Sequence, residues 1–165
     1  MGYTNYWKFT NNPKNIENGA EKFKNAVNAA KDCIGRVKRV TVSEYKWDSE
    51  AQKSIEKKCR ITLRLGNGIG RSKPIFRDDM VCFNGLAAMR QDYETFSINL
   101  DDDGFDFNFC KTARQPYDVA VCITLICFKH YFGDDFSYRS DGDIEKGEEG
   151  WKQAKKITAD YFLYK

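Results

Sequence analysis

Apolar and polar positions recur with two different periods along this chain, and the switches between them divide it into elements. Residues 3–9 are aromatic-rich and loosely alternating, which predicts a strand broken by Asn11-Asn12-Pro13. Ile16, Ala20, Phe23, Val27, Ala30 and Ile34 then fall at steps of three and four, one face of a helix closed by Gly35. Val37 to Tyr45 returns to strand alternation, and residues 48–58 are polar and charged, readable as a short exposed helix or an extended loop. Cys59 to Leu65 alternates strictly, with its odd positions toward a core. Residues 79–84 predict a short strand ended at Asn84-Gly85, followed by a loop over 86–92. Tyr93–Leu100 and Phe105–Phe109 alternate on either side of Asp101-Asp102-Asp103-Gly104, the pattern of a β-hairpin.

The stretch from Pro116 to Phe132 is the most apolar in the chain and predicts a core helix, with proline suited to its first position. A short edge strand over 136–139, a polar turn at Ser140-Asp141-Gly142-Asp143 and an amphipathic helix carrying Trp151, Ala154, Thr158 and Tyr161 complete the order. That order predicts an α+β fold, an antiparallel sheet with helices packed on one face; a ferredoxin-like split β-α-β arrangement with inserted strands is one candidate. At 165 residues the simplest organisation is one α+β domain over 1–165.

Composition narrows the class. Hydrophobic content of 41% and aromatic content of 15% argue against disorder. A net charge of +3 with interspersed signs does not by itself imply nucleic-acid binding, although Lys53, Lys57, Lys58, Arg60 and Arg64 form a local basic cluster. The six cysteines sit mostly in apolar runs without scaffold spacing, the pattern of free thiols in a reducing, cytoplasmic setting. The N-terminal residues carry no targeting pattern, and no apolar run reaches membrane-spanning length, so no membrane partner is expected.

Candidate chemistry gathers at the turn before the core helix. Free N–H groups at a helix N-terminus favour anions, and Lys111, Thr112 and Arg114 add two cations and a hydroxyl there. Asp118 in the first turn would cap the helix or aim Arg114. The expected hairpin would bring Glu94 to Lys111, and Asn84 and Asp141 follow strands that could end nearby. Such a set would bind a nucleotide or other anionic small molecule, with magnesium as a candidate cofactor. The plain alternative is a structural Arg–Asp pair pinning strand to helix. Cys110 beside these cations is expected to have a lowered pKa. His130 reads as a dipole partner at the helix C-terminus. Tyr3, Tyr6, Trp7 and Phe9 could stack bases, although packing is the simpler use of them. The glycines at 66–70 lack the helix and Lys-Ser/Thr pair of a phosphate loop.

Several pieces, in this order, resemble a family of small uncharacterised bacterial and phage proteins: Gly2-Tyr3-Thr4-Asn5-Tyr6-Trp7, Phe83-Asn84-Gly85, Glu94-Thr95-Phe96, the block from Phe109 to Asp118, and Ser140-Asp141-Gly142-Asp143. The family's pattern looks like GYTHYW at the start and has lysine where this chain has Gln115, so Asn5 and Gln115 are departures. The resemblance implies no activity. It implies a phage association, with host cytoplasm or virion as the location, and, as the shared pieces are largely polar turns, a shared site. Two functions stay open: a ligand-binding protein or small enzyme for a phosphate-bearing molecule (nucleotide or oligonucleotide) at Lys111 and Arg114, or a non-enzymatic interaction or assembly protein, homo-oligomeric or with a protein partner.

Overall fold

The computed structural model describes residues 3–148 and 150–164. Gly2 of the N-terminal motif lies outside them. In chain order the elements are β1 (Thr4–Phe9), α1 (Gly19–Gly35), β2 (Arg39–Asp48), β3 (Lys53–Thr62), β4 (Leu65–Gly66), β5 (Ile75–Arg77), β6 (Met80–Gly85), β7 (Phe96–Asn99), β8 (Asn108–Lys111), α2 (Asp118–Phe132), β9 (Phe136–Ser140) and α3 (Gly150–Leu163). The fold is α+β, as the alternation of periods predicts.

β1 is the middle strand of a three-stranded sheet, antiparallel to β8 on one side and to β9 on the other. β8 and β9 are therefore parallel to each other and joined through α2, a split β-α-β unit with β1 inserted. This is half of the ferredoxin-like candidate. The strand after α1 does not extend the sheet; β2 pairs with β3 instead.

Alternation gives the sheet two unlike faces. Trp7, Phe9, Cys110 and Phe136 point inward and are buried. There the ring of Phe9 lies 5.1 Å from Phe132 and 6.2 Å from Phe128 of α2, and Phe23 of α1 meets Phe128 edge-on at 5.1 Å. α2 is buried on nearly every side, between the sheet, α1 and α3. The opposite face, with Tyr6, Lys8, Phe109 and Arg139, carries no helix in the described structure.

A second sheet is centred on β6, which pairs with β4, β5 and β7. Its inner face is built from Val81, Phe83, Phe96 and Ile98, all fully buried. The expected hairpin over 93–110 does not form. β7 pairs with β6, so that Phe83 faces Phe96 and Val81 faces Ile98, while β8 pairs with β1. The acidic turn between them is tied elsewhere: Asp101 accepts from Asn12 Nδ2 at 3.0 Å and meets Lys14 Nζ at 2.6 Å. Asp102 still closes the turn by accepting from the Gly104 backbone at 2.9 Å, while Asp101 ties it to the residues that follow β1.

Residues 48–58 are another correction. They are neither helix nor loop but the tip and outer half of a ten-residue antiparallel ribbon, β2 with β3. The outer half is exposed on both faces, so selection for burial leaves no apolar alternation to read. The α1 pattern holds from Phe23 to Ile34, whereas Ile16 is buried ahead of the helix and Ala20 faces solvent.

Candidate functional site

The turn that joins β8 to α2 folds inward around one carboxylate. Asp118 is 3% exposed. Its Oδ1 accepts from Asn5 Nδ2 at 2.7 Å and from Thr112 Oγ1 at 2.7 Å, and its Oδ2 faces the Cys122 thiol at 3.7 Å. The burial of these donors explains the arrangement: a charge brought into the interior needs several hydrogen bonds to be tolerated. The Tyr3 carbonyl accepts from the backbone of Thr112 and Ala113, closing the turn against the start of β1. Ala113 and Arg114 both adopt left-handed backbone, φ 50° and 59°, a conformation costing roughly 1–2 kcal/mol for each residue with a Cβ. The Arg114 guanidinium lies over the Tyr3 ring, 4.7 Å from its centroid.

Glu94 does reach Lys111, by a different route from the one expected. Its Oε2 accepts from the Lys111 backbone at 2.7 Å, and its carbonyl accepts from the Tyr117 hydroxyl at 2.7 Å. Glu94 thus covers the outer edge of β8, satisfying a donor that a fourth strand would otherwise take. Asp141 ties the end of β9 to the start of β1: its Oδ2 accepts from the Thr4 backbone at 3.0 Å and its Oδ1 from the Tyr6 hydroxyl at 3.2 Å. Lys111, Thr4 and Asp141 form one row across the sheet. Lys111 Nζ sits 5.6 Å above the Tyr93 ring. Asn84 stands apart from that row. It is buried, donates to the carbonyls of Gly68 and Tyr93, and accepts from the backbone of Gly85 and Tyr93, so it fixes the loop bearing Tyr93.

Cys110 reverses its expectation. Its side chain points inward, its thiol 3.5 Å from the Glu94 carbonyl, and burial pushes its pKa up to about 12. Lys111, the next residue along β8, points to the other face of the strand. Burial raises Tyr117 and Cys122 as well. His130 stacks on Phe162 with ring centroids 3.7 Å apart. Among the described residues no group of three or more His, Cys, Asp or Glu side chains that could hold a metal ion comes together, and no helix is long and apolar enough to cross a membrane.

The open face of the same sheet holds a cleft of about 330 Å³ that sequence reasoning missed. Tyr6, Lys8, Asp106, Phe107, Ser137 and Arg139 line it. The Arg139 guanidinium lies 4.3 Å from the centroid of the Tyr6 ring, and the Phe107 ring is 6.4 Å from Tyr6 and 5.9 Å from Phe109. Phe107 and Phe109 are more than half exposed. The alternation of Phe105, Phe107 and Phe109 predicts one shared side; instead Phe105 sits in the turn before β8 and packs against the core, while Phe107 and Phe109 face solvent. Beyond Lys8 the surface turns acidic, with Asp106, Asp134 and Asp135 around an adjoining hollow. The cations Arg139 and Lys111 stand toward the opposite end of the face.

No protein-family model matches this chain, and no match to it is found among the curated proteins or the solved structures.

Proposed function

We propose that this protein binds a phosphate-bearing aromatic ligand, a nucleotide or short single-stranded oligonucleotide, on the open face of β8-β1-β9. The observation that carries this reading is the Arg139–Tyr6–Phe107 constellation at the rim of the cleft. Bases stack on exposed aromatic rings and on guanidinium planes, and an antiparallel sheet with its helices on the far side offers such rings without a lid. Phe109 extends the stacking surface beside Tyr6. The Asp106 carboxylate and Ser137 hydroxyl line the same cleft and are suited to a base edge. Phosphates would run toward Arg139 and Lys111 and away from Asp134 and Asp135, because charge favours only that direction. Thr112 and Asp118 act beneath this surface, holding the turn that presents Lys111, and Arg114 packs beside them over Tyr3.

The test is binding of a fluorescent single-stranded oligonucleotide by anisotropy, with a thermal-shift series of nucleotides with and without magnesium. Tyr6→Ala should weaken binding by about 1–3 kcal/mol, the usual worth of one stacked base, and Arg139→Ala should weaken it and flatten its salt dependence. If neither nucleotide nor oligonucleotide binds, or if both variants bind as the parent does, the reading is wrong.

A further inference from the structure

The β2–β3 ribbon has one face that nothing in the described structure covers. Cross-strand pairing puts Arg39, Thr41, Ser43, Tyr45 and Trp47 of β2 on the same face as Thr62, Arg60, Lys58, Glu56 and Ser54 of β3. Nine of these ten are exposed and Ser43 is half-buried. The other face behaves differently: at its base Val40, Ile61 and Val42 pack toward the core, with Cys59 half-buried across from Val42. The ribbon therefore lies on the body by one side of its base and presents the other side over its whole length, about 33 Å for ten residues of strand.

The chemistry of that face selects a partner. It carries three cations, five hydroxyl groups counting Tyr45, and two aromatic rings, with no aliphatic side chain other than the methyls of its threonines. Its one acid, Glu56, accepts from the Ser43 hydroxyl across the ribbon. A face docking onto a second copy of the chain would need an apolar centre, and Tyr45 and Trp47 sit at the tip instead, 65% and 64% exposed. Arg, Lys, Ser and Thr side chains are the groups that hold phosphates. A two-stranded ribbon has the width that the major groove of B-form DNA admits, whereas the A-form major groove is too narrow for it. Lys58 and Arg60 are same-face neighbours about 6–7 Å apart along β3, with Arg39 diagonally across from Arg60.

We infer that the β2–β3 ribbon is a docking arm for duplex DNA, with Arg39, Lys58 and Arg60 on the phosphates and Tyr45 and Trp47 at the leading end. It uses no residue of the open sheet face and does not rest on the reading proposed for that face.

The experiment is anisotropy with a labelled DNA duplex, an RNA duplex and a DNA single strand of the same sequence, using the full chain. Three phosphate contacts predict a slope of log affinity against log salt of about −2.7, or about 40-fold weaker binding from about 50 to about 200 mM salt. The combined variant Arg39→Ala, Lys58→Ala, Arg60→Ala should lose that slope and most of the affinity for duplex DNA while keeping the parent's circular dichroism and melting temperature, because all three side chains are exposed. Tyr6→Ala should leave duplex binding unchanged, which separates a failure here from a failure of the sheet face. RNA duplex should bind more weakly than DNA duplex. The inference is overturned if duplex DNA does not bind at about 50 mM salt, if the triple variant binds it as tightly as the parent does, if RNA duplex binds as well as DNA, or if Trp47→Ala instead dissolves a dimer that forms without DNA.

Discussion

Asn5 donates its side-chain amide to Asp118 at 2.7 Å, and this one bond joins the middle strand of the sheet to the first turn of its most deeply buried helix. Both residues are buried, and Thr112 brings the connecting turn to the same oxygen. Asn5→Ala removes a hydrogen bond to a buried charge, so a loss of about 1.5–3 kcal/mol is expected in urea unfolding. Asn5→Asp should cost more, since it sets a second carboxylate against the first. A loss below about 0.5 kcal/mol for Asn5→Ala would mean that this bond is not a principal tie between strand and helix.

Thiol labelling should sort the six cysteines by position. Cys59 and Cys82 are half-buried and should react in the native protein near pH 8, while Cys33, Cys110, Cys122 and Cys127 should react only on unfolding. Mass spectrometry of alkylated peptides reads this out. Native labelling of Cys110 ahead of Cys82 would contradict the inward orientation of its thiol.

The raised thiol pKa also fixes the sign of an alkaline effect. The unfolded chain loses the Cys110 proton near pH 8.5–9, the folded chain only near pH 12. The unfolded state therefore binds fewer protons in between, and stability contributed below about pH 8.5 is progressively lost as pH rises toward 12. Cys110→Ala should reduce this decline without abolishing it, because Tyr3, Tyr117 and Cys122 are shifted in the same direction. Urea midpoints taken at intervals above pH 8 measure both slopes.

Gly85 is fixed by close approach. A Cβ there would lie 1.9 Å from the Gln91 carbonyl oxygen, and the neighbouring Asn84 amide clamps the same loop through Tyr93. Gly85→Ala should cost about 1–3 kcal/mol or more by overpacking. It should also loosen Tyr93 beneath Lys111, seen as faster hydrogen exchange over 91–94. Unchanged stability would show that the loop can step aside.

The outer half of the ribbon should be dispensable for folding. Replacing residues 44–57 by Asn-Gly joins Ser43 to Lys58, which already face each other, with a two-residue turn suited to a hairpin. The rows of Val40 with Ile61 and Val42 with Cys59 remain. The melting temperature should stay within a few degrees of the parent's, since few buried contacts are removed. A large drop would show that the tip supports the body.

How much of this could be read in advance depended on whether burial left a mark. α2 was legible because Val119 to Phe128 is apolar on every side, and α3 because Trp151, Ala154, Thr158 and Tyr161 keep helical spacing. β3 was half legible: from Cys59 onward one side meets the core, whereas Lys53 to Lys58 meets water on both sides. The hairpin over 93–110 failed because alternation marks a strand without naming its neighbour, and the partner of Phe96 proved to be Phe83. Within the candidate site, Thr112 and Asp118 were recognised as residues but not as a buried pair, because a polar turn and a buried polar cluster have the same composition. Arg139 and Phe107 carried no signal of their own; their value comes from lying either side of Tyr6.

The split β-α-β unit also sets an order in time. β1 is made first among the described strands, yet both of its neighbours, β8 and β9, lie beyond residue 107. Until then Trp7 and Phe9 have no sheet to join, and Asn5 has no carboxylate to hold. Closure over so long a loop is slow, so on the ribosome the sheet that carries the proposed binding face should assemble only after Ser140 has been made, later than the β2–β3 ribbon, whose strands are neighbours in the chain.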